Sequence, residues 1–305
     1  MAHGVKRWAV AIAGTLVVVG IPFGAAAVER ISEQGAATEA AVAEGADAAG
    51  GTGGTAAKAD GADDAVDPFE PLDPDAGTPV EPAVDATRIM LLGDSVTQGA
   101  GGDWTWRYRL ARTLDTAGTA YDFVGPRQVL YDPLTQKSTS SAYLDPAFDQ
   151  DHVARWGMTL AEQDFPVTTL VTDLRPDVLV EMLGVNDLNH RGDDPAVVAQ
   201  RVRQLVADAR AASPTVDVVL VELPQTWVEG VDEFNAFIHQ MALELDTPDA
   251  RVVSASTAGA TPAHTRDGMH PNADGELLIA DGVARALQRI GVPTQRRSPT
   301  ASLRS

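Results

Sequence analysis

The chain has 305 residues, with 43 acidic against 23 basic side chains for a formal net charge of −20, and is 44% hydrophobic but only 5% aromatic. That length accommodates one sizeable domain with accessory sequence, or two small domains. The charge argues against nucleic acid or anionic lipid as a partner, since both need a basic surface. The absence of cysteine removes disulfides, thiolate catalysis and Cys-based metal sites.

In chain order, Lys6 and Arg7 precede an almost uncharged run, WAVAIAGTLVVVGIPFGAAAV, from Trp8 to Val28. A basic start, an apolar stretch, a breaker at Pro22 and small residues at Ala25 and Ala27 read as a secretory signal, with cleavage after Ala27. The run is also long enough to span a bilayer, so residues 1–28 form either a signal peptide or an uncleaved anchor. Either implies that the rest of the chain lies outside the cytoplasm, secreted or tethered, and touches the membrane only through this segment.

Residues 29–86 are Ala, Gly, Asp, Glu and Pro almost throughout. Up to Asp85, fourteen acidic side chains against Arg30 and Lys58 leave a net of −12, more than half of the whole excess. Such a segment cannot bury enough apolar surface to offset its chain entropy and is expected to be a disordered spacer. Residues 292–305 are expected to form a frayed tail.

The pattern changes at Thr87. Apolar runs at 88–92, 121–125, 177–183, 216–223 and 251–256 are near-continuous, as in parallel strands covered on both faces. Between them lie helical patterns. Trp106, Leu110 and Leu114 recur at four-residue spacing; Asp194-Pro195 caps a helix over 196–212; others cover about 229–245 and 274–290. The alternation predicts a domain over 87–291 that is a three-layer, doubly wound α/β/α sandwich around a mostly parallel five-stranded sheet. The interval 125–155 has no clear period and is long enough to be functional.

Three polar clusters sit at or near strand ends, where open α/β sheets bind ligands. Gly93-Asp94-Ser95-Val96-Thr97-Gln98-Gly99 directly follows the first strand and can expose the Ser95 hydroxyl together with its amide. Gly184-Val185-Asn186-Asp187 follows the third, where the Asn186 amide can donate to an oxyanion. Asp267-Gly268-Met269-His270-Pro271 precedes the last helix, and a carboxylate three residues ahead of a histidine can hold its ring by one nitrogen. Each cluster taken singly is also an ordinary turn.

Their order carries more than any one of them. GDSVTQG, GVND and DGMH, with Gly157 in DQDHVARWGMTL, resemble the four blocks of the SGNH hydrolases, the GDSL-type esterases and lipases. WRYRL (106–110), YDFVG (121–125) and DQDH narrow the resemblance to the third family of carbohydrate esterases, which contains acetylxylan esterases. Where that family usually reads EGHS before the glycine, this chain has Val153-Ala154-Arg155-Trp156. The resemblance spans roughly 87–290. It implies a flavodoxin-like fold, Ser95 as nucleophile, His270 as general base and acid, and Asp267 as its orienter. It also implies an oxyanion hole from the amides of Ser95 and Gly157 and the side chain of Asn186. Asp94 and Trp156 are the expected substrate contacts. No cofactor and no metal is implied, and the chain is expected to act as a monomer on an acylated saccharide.

DQDH has the composition of a calcium cluster but reads as a polar loop lining the cleft. His190 reads as part of a solvated loop, His239 lies on a predicted helix and His264 in a loop. Three functions remain open. The first is an extracytoplasmic esterase removing short acyl groups from carbohydrate, the second a lipid-directed hydrolase. The third is an inert surface-binding module, which the complete set of Ser, Asn, Asp and His blocks disfavours.

Overall fold

A computed structural model describes residues 85–295. The predicted signal or anchor, all but the last two residues of the predicted linker, and the predicted tail beyond residue 295 lie outside the described residues.

Five parallel strands form the backbone of the domain: β1 (Thr87–Gly93), β2 (Tyr121–Val124), β6 (Val178–Met182), β7 (Asp217–Val221) and β8 (Val252–Ala255). Their order across the sheet is β2-β1-β6-β7-β8. All residues of β6 and β8 and all but the first of β7 are buried, which explains their largely apolar runs. Helices cover both faces. After β1 come the one-turn α1 (Ser95–Gln98) and then α2 (Trp106–Ala117); α3 (Val167–Leu174) leads into β6, and the short α4 (Val185–Asn189) leaves it. The long helices α5 (Pro195–Ala212), α6 (Val231–Leu245) and α7 (Ala273–Arg289) complete the set. α2 packs on α7, while α3 packs on α5 and α5 on α6, giving three layers. The predicted sandwich is therefore present.

Several predicted boundaries hold for local reasons. Asp194 accepts from the Ala196 amide with Pro195 in the first turn of α5, and Asn272 caps α7 through the Gly275 amide. Thr105 caps α2, whose far end stops at Gly118 with φ 71°. Helix α3 had no counterpart in the sequence reading. It has eight residues, no side-chain cap, and the β-branched run Val167-Thr168-Thr169, which reads locally as a strand.

The aperiodic interval 125–155 is not one loop. It contains an antiparallel hairpin, β3 (Leu130–Asp132) with β4 (Lys137–Ser140), and a two-residue strand β5 (Val153–Ala154) that pairs with the end of β1. β5 is a sixth strand beside the five expected ones. Gly125 makes this crossing possible: a Cβ there would lie 2.3 Å from the His152 backbone. The chain moves from β1 to β2 in one direction and onward to β6 in the other. The carboxyl ends of β1 and β6 thus flank a topological switch point.

Candidate active site

Ser95 opens α1 directly beyond that switch point and is 5% exposed. Its amide belongs to the first turn, which has no intrahelical partner. Asp94 caps the turn by accepting from the Val96 amide at 3.0 Å. The rest of α1 is held from below. Arg107, fully buried on α2, donates to the carbonyls of Thr97 (2.8 Å) and Gln98 (3.1 Å), and also to Gln150 O and the Tyr143 hydroxyl. A guanidinium on the last carbonyls of a one-turn helix satisfies acceptors that would otherwise be orphaned.

Ser95 Oγ lies 3.1 Å from His270 Nε2, and His270 Nδ1 lies 2.7 Å from Asp267 Oδ2. A carboxylate oxygen only accepts, so Nδ1 carries the proton and Nε2 faces the serine as an acceptor. Asp267 Oδ1 also accepts from the amides of Met269 (3.0 Å) and His270 (2.8 Å). Partial burial pushes this carboxyl upward, but the hydrogen bonds from the His270 amide and ring and the Met269 amide outweigh it, and its pKa is lowered. The Asp267–His270 loop is exposed apart from its last residues, yet it is stapled from several sides. Gln225 donates to Met269 O and Trp227 Nε1 to Gly268 O, both at 2.8 Å. Arg266 forms a bidentate pair with Asp103, at 2.5 and 2.6 Å, on the loop that follows Ser95 and α1.

β5 delivers the Arg155–Met158 turn to the same place. The Arg155 amide donates to Gly93 O, Met158 N to Arg155 O, and Gly157 sits between with φ 73°, a conformation that suits glycine. The Gly157 amide donates to nothing among the described residues. Asn186, buried on α4, donates both amide hydrogens inside the protein, to Asp94 Oδ2 at 3.2 Å and Met158 O at 3.1 Å. An oxyanion must therefore displace one of these bonds to use Asn186. Its neighbour Asp187 accepts from the Leu160 and Ala161 amides and pairs with Arg201, which fixes the chain beyond Gly157.

Beneath the serine lies a group of buried acids. Burial raises Asp94 to about 7, with the Asp187 charge adding to it, and raises Glu181, in the middle of β6, to about 8. Asp94 thus faces Ser95's neighbours and Asn186 rather than open solvent. Of DQDH, only the histidine is buried away from the cleft, while Asp149, Gln150 and Asp151 are half-buried. His152 is fully buried, accepts the Ala154 amide on Nδ1 and bonds Val129 O through Nε2, while Asp149 caps the Phe123 amide. No group of metal-ligating side chains occurs among the described residues.

Trp156, read from the sequence as a substrate contact, is placed otherwise. Its ring stacks on Tyr131 (centroids 4.0 Å apart, 18° between planes) and on His270 (4.2 Å, 24°). Two rings so close cannot share one face, so Tyr131 and His270 cover opposite faces and leave only an edge of the indole for a ligand. The sequence reading missed Tyr131, Gln98 and Arg107. Gln98 is inside the GDSVTQG block and Arg107 inside WRYRL, so both were in view; nothing marks Tyr131.

The model of the GDSL-like Lipase/Acylhydrolase family matches residues 91–278. Thioesterase 1/protease 1/lysophospholipase L1 of Escherichia coli K12 is 26% identical over 209 residues, 68% of this chain and 86% of its own. Among solved structures, a carbohydrate esterase family 3 protein from Talaromyces cellulolyticus is 28% identical with a TM-score of 0.58, covering 67% of this chain and 97% of that one. An acetyl esterase mutant crystallised with acetate ion is 27% identical with the same TM-score and coverage.

Proposed function

This chain belongs to the GDSL-like lipase/acylhydrolase family, and from that we propose that it is a serine esterase cleaving short acyl esters, acetyl above all, from carbohydrate outside the cytoplasm. One observation carries the chemistry: the continuous hydrogen-bonded line from Ser95 Oγ through the His270 ring to Asp267.

In this reading Ser95 Oγ attacks the ester carbonyl carbon while His270 Nε2 takes its proton, and Asp267 steadies the imidazolium. The carbonyl oxygen becomes an oxyanion held by the amides of Ser95 and Gly157 and by Asn186 Nδ2, once the latter releases one of its internal partners. Collapse breaks the bond to the alkoxy oxygen, which leaves as the alcohol with the proton from His270. Water then attacks the acyl-Ser95 ester, giving its proton to His270. The free acid departs, and Ser95 recovers its proton.

The short acyl group and saccharide acceptor are supported by the likeness to carbohydrate and acetyl esterases at 27–28% identity and by the polar composition of the segment from Tyr131 to Arg155. A long chain needs a continuous apolar groove, each buried methylene contributing about 0.8 kcal/mol. Placement outside the cytoplasm rests on the pattern of Lys6, Arg7 and the apolar run that follows.

Fluorophosphonate labelling of Ser95, followed by acetyl, butyryl, octanoyl and palmitoyl esters, tests the proposal. Expected are labelling and a kcat/KM highest for acetyl. A kcat/KM that climbs with chain length assigns the protein to lipid-like substrates, as the name of the Escherichia coli relative suggests. Asn186→Ala is expected to lower kcat about a hundred- to a thousandfold, the effect of losing one oxyanion donor; a change in KM alone would remove it from that role.

A further inference from the structure

The base His270 sits on an exposed loop, and its two ring nitrogens are held by one hydrogen bond each. Together with the bond to Cβ they orient the ring, but hydrogen bonds bend easily, so they resist an out-of-plane tilt only weakly. A packed face stiffens that tilt. The Trp156 indole lies against the imidazole face at 4.2 Å, tilted by 24°, and is itself backed on its other face by Tyr131.

Both supports of this column are anchored to the segment that carries the nucleophile. Gln98, fully buried at the end of α1, accepts the Trp156 amide on Oε1 at 2.7 Å and donates to Val129 O at 3.0 Å. Tyr131 exchanges backbone hydrogen bonds with Gly99 and Gly101, at 3.0 and 2.8 Å. Arg155, next to Trp156, is clamped by Asp164 at 2.8 Å. The column therefore extends the rigidity of the buried nucleophile segment to a base that stands on a different and more exposed loop.

We infer that Trp156 is a positioning residue for His270: it fixes the plane of the imidazole against Ser95 and offers its π-face to the imidazolium that forms when the serine proton is taken. This rests on the reading of His270 as the base. The electrostatic part follows from the negative face of an indole, the best aromatic partner for a cation. The positioning part follows from the steep dependence of catalysis on the placement of reacting groups. An acceptor platform, the role the sequence suggested, needs an open ring face, and neither face is open.

The test uses nitrophenyl acetate, which has no saccharide to stack. Trp156→Ala is expected to lower kcat about ten- to a hundredfold with KM nearly unchanged, and Trp156→Phe to recover most of the loss. Trp156→Leu, which keeps apolar bulk without a π-face, is expected to stay low and replaces the alanine variant should that fail to fold. The imidazole CH protons of His270 are expected to resonate upfield in the Ser95→Ala protein and to return toward ordinary positions when Trp156→Leu is added. Wild-type kcat on nitrophenyl acetate in both Trp156→Ala and Trp156→Leu overturns the inference, as does a loss confined to KM for acetylated saccharides. A parent protein that neither labels with fluorophosphonate nor hydrolyses any ester overturns the proposed function itself, a result the imidazole resonances distinguish from loss of the stack.

Discussion

Ser95 and His270 meet across 3.1 Å, yet the two sides of that contact are built from different materials. On the nucleophile side Asp94, Ser95, Thr97, Gln98 and Arg107 are all buried, and the segment is continuous with a core strand. On the base side the Asp267 side chain is 49% exposed, and the loop is held by single hydrogen bonds and an ion pair at its rim. A change on the first side is expected to disturb folding along with chemistry. A change on the second is expected to touch chemistry with little effect on folding. The hydroxyl of Ser95 is the exception that proves useful, because it can be deleted without opening the core.

The sharpest expectation concerns that exception. Ser95→Ala is expected to lower kcat a thousandfold or more while its denaturation midpoint stays near that of the parent. Ester turnover at the parental rate would remove Ser95 from the chemistry altogether. Arg107→Met should behave in the opposite way. It strips four carbonyl and hydroxyl acceptors of a buried donor, two of them at the end of α1, and is expected to cost about 3 kcal/mol or more of stability. Urea unfolding measures this, and a neutral result would break the contrast between the two sides.

The buried acids beneath Ser95 predict a pH dependence of stability. Asp94 at about 7 and Glu181 at about 8 lie above their ordinary values, so the folded protein holds protons that the unfolded chain releases. Their contribution favours the folded state most at acid pH and is lost as pH rises from about 4 to about 8. Glu181→Gln keeps an acceptor for the Leu183 amide while removing one titration. It is expected to flatten the decline in stability between pH 6 and 9, read from urea midpoints; an unchanged slope would take Glu181 out of the account. The smallest effect is at the rim. Arg266→Ala is expected to change stability by no more than about 1 kcal/mol, the usual range for an exposed pair, and to lower kcat only a few-fold. A hundredfold loss would show that the base loop depends on its ion pair far more than on its backbone ties.

What could be read in the sequence follows the same division. The five parallel strands were legible as near-continuous apolar runs, clearest in β6 and β7 where both faces are buried, and α5 because Asp194-Pro195 marks its start. Ser95, Asp267 and His270 were legible as motif residues, and their hydrogen-bonded line is where the spacing of DGMH implied. β5 and the β3–β4 hairpin were not: β5 has two residues, β3 three, and β4, Lys137–Ser140, carries no apolar residue. Trp156 was noticed for its position beside Gly157 but assigned outward, to a ligand. Its true neighbours, Tyr131 and His270, are 25 and 114 positions away, and no local pattern encodes such a stack.

The separation of Ser95 from His270, 175 positions along the chain, also sets a timetable. A ribosome adding 5–20 residues per second needs roughly 10–35 s to pass from one to the other. Throughout that interval, under the proposed mechanism, the nascent polypeptide has a serine without its base. By that mechanism, hydrolytic power arrives only when α7 has docked against α2, so an incomplete product left on the ribosome is expected to be inert towards the esters around it.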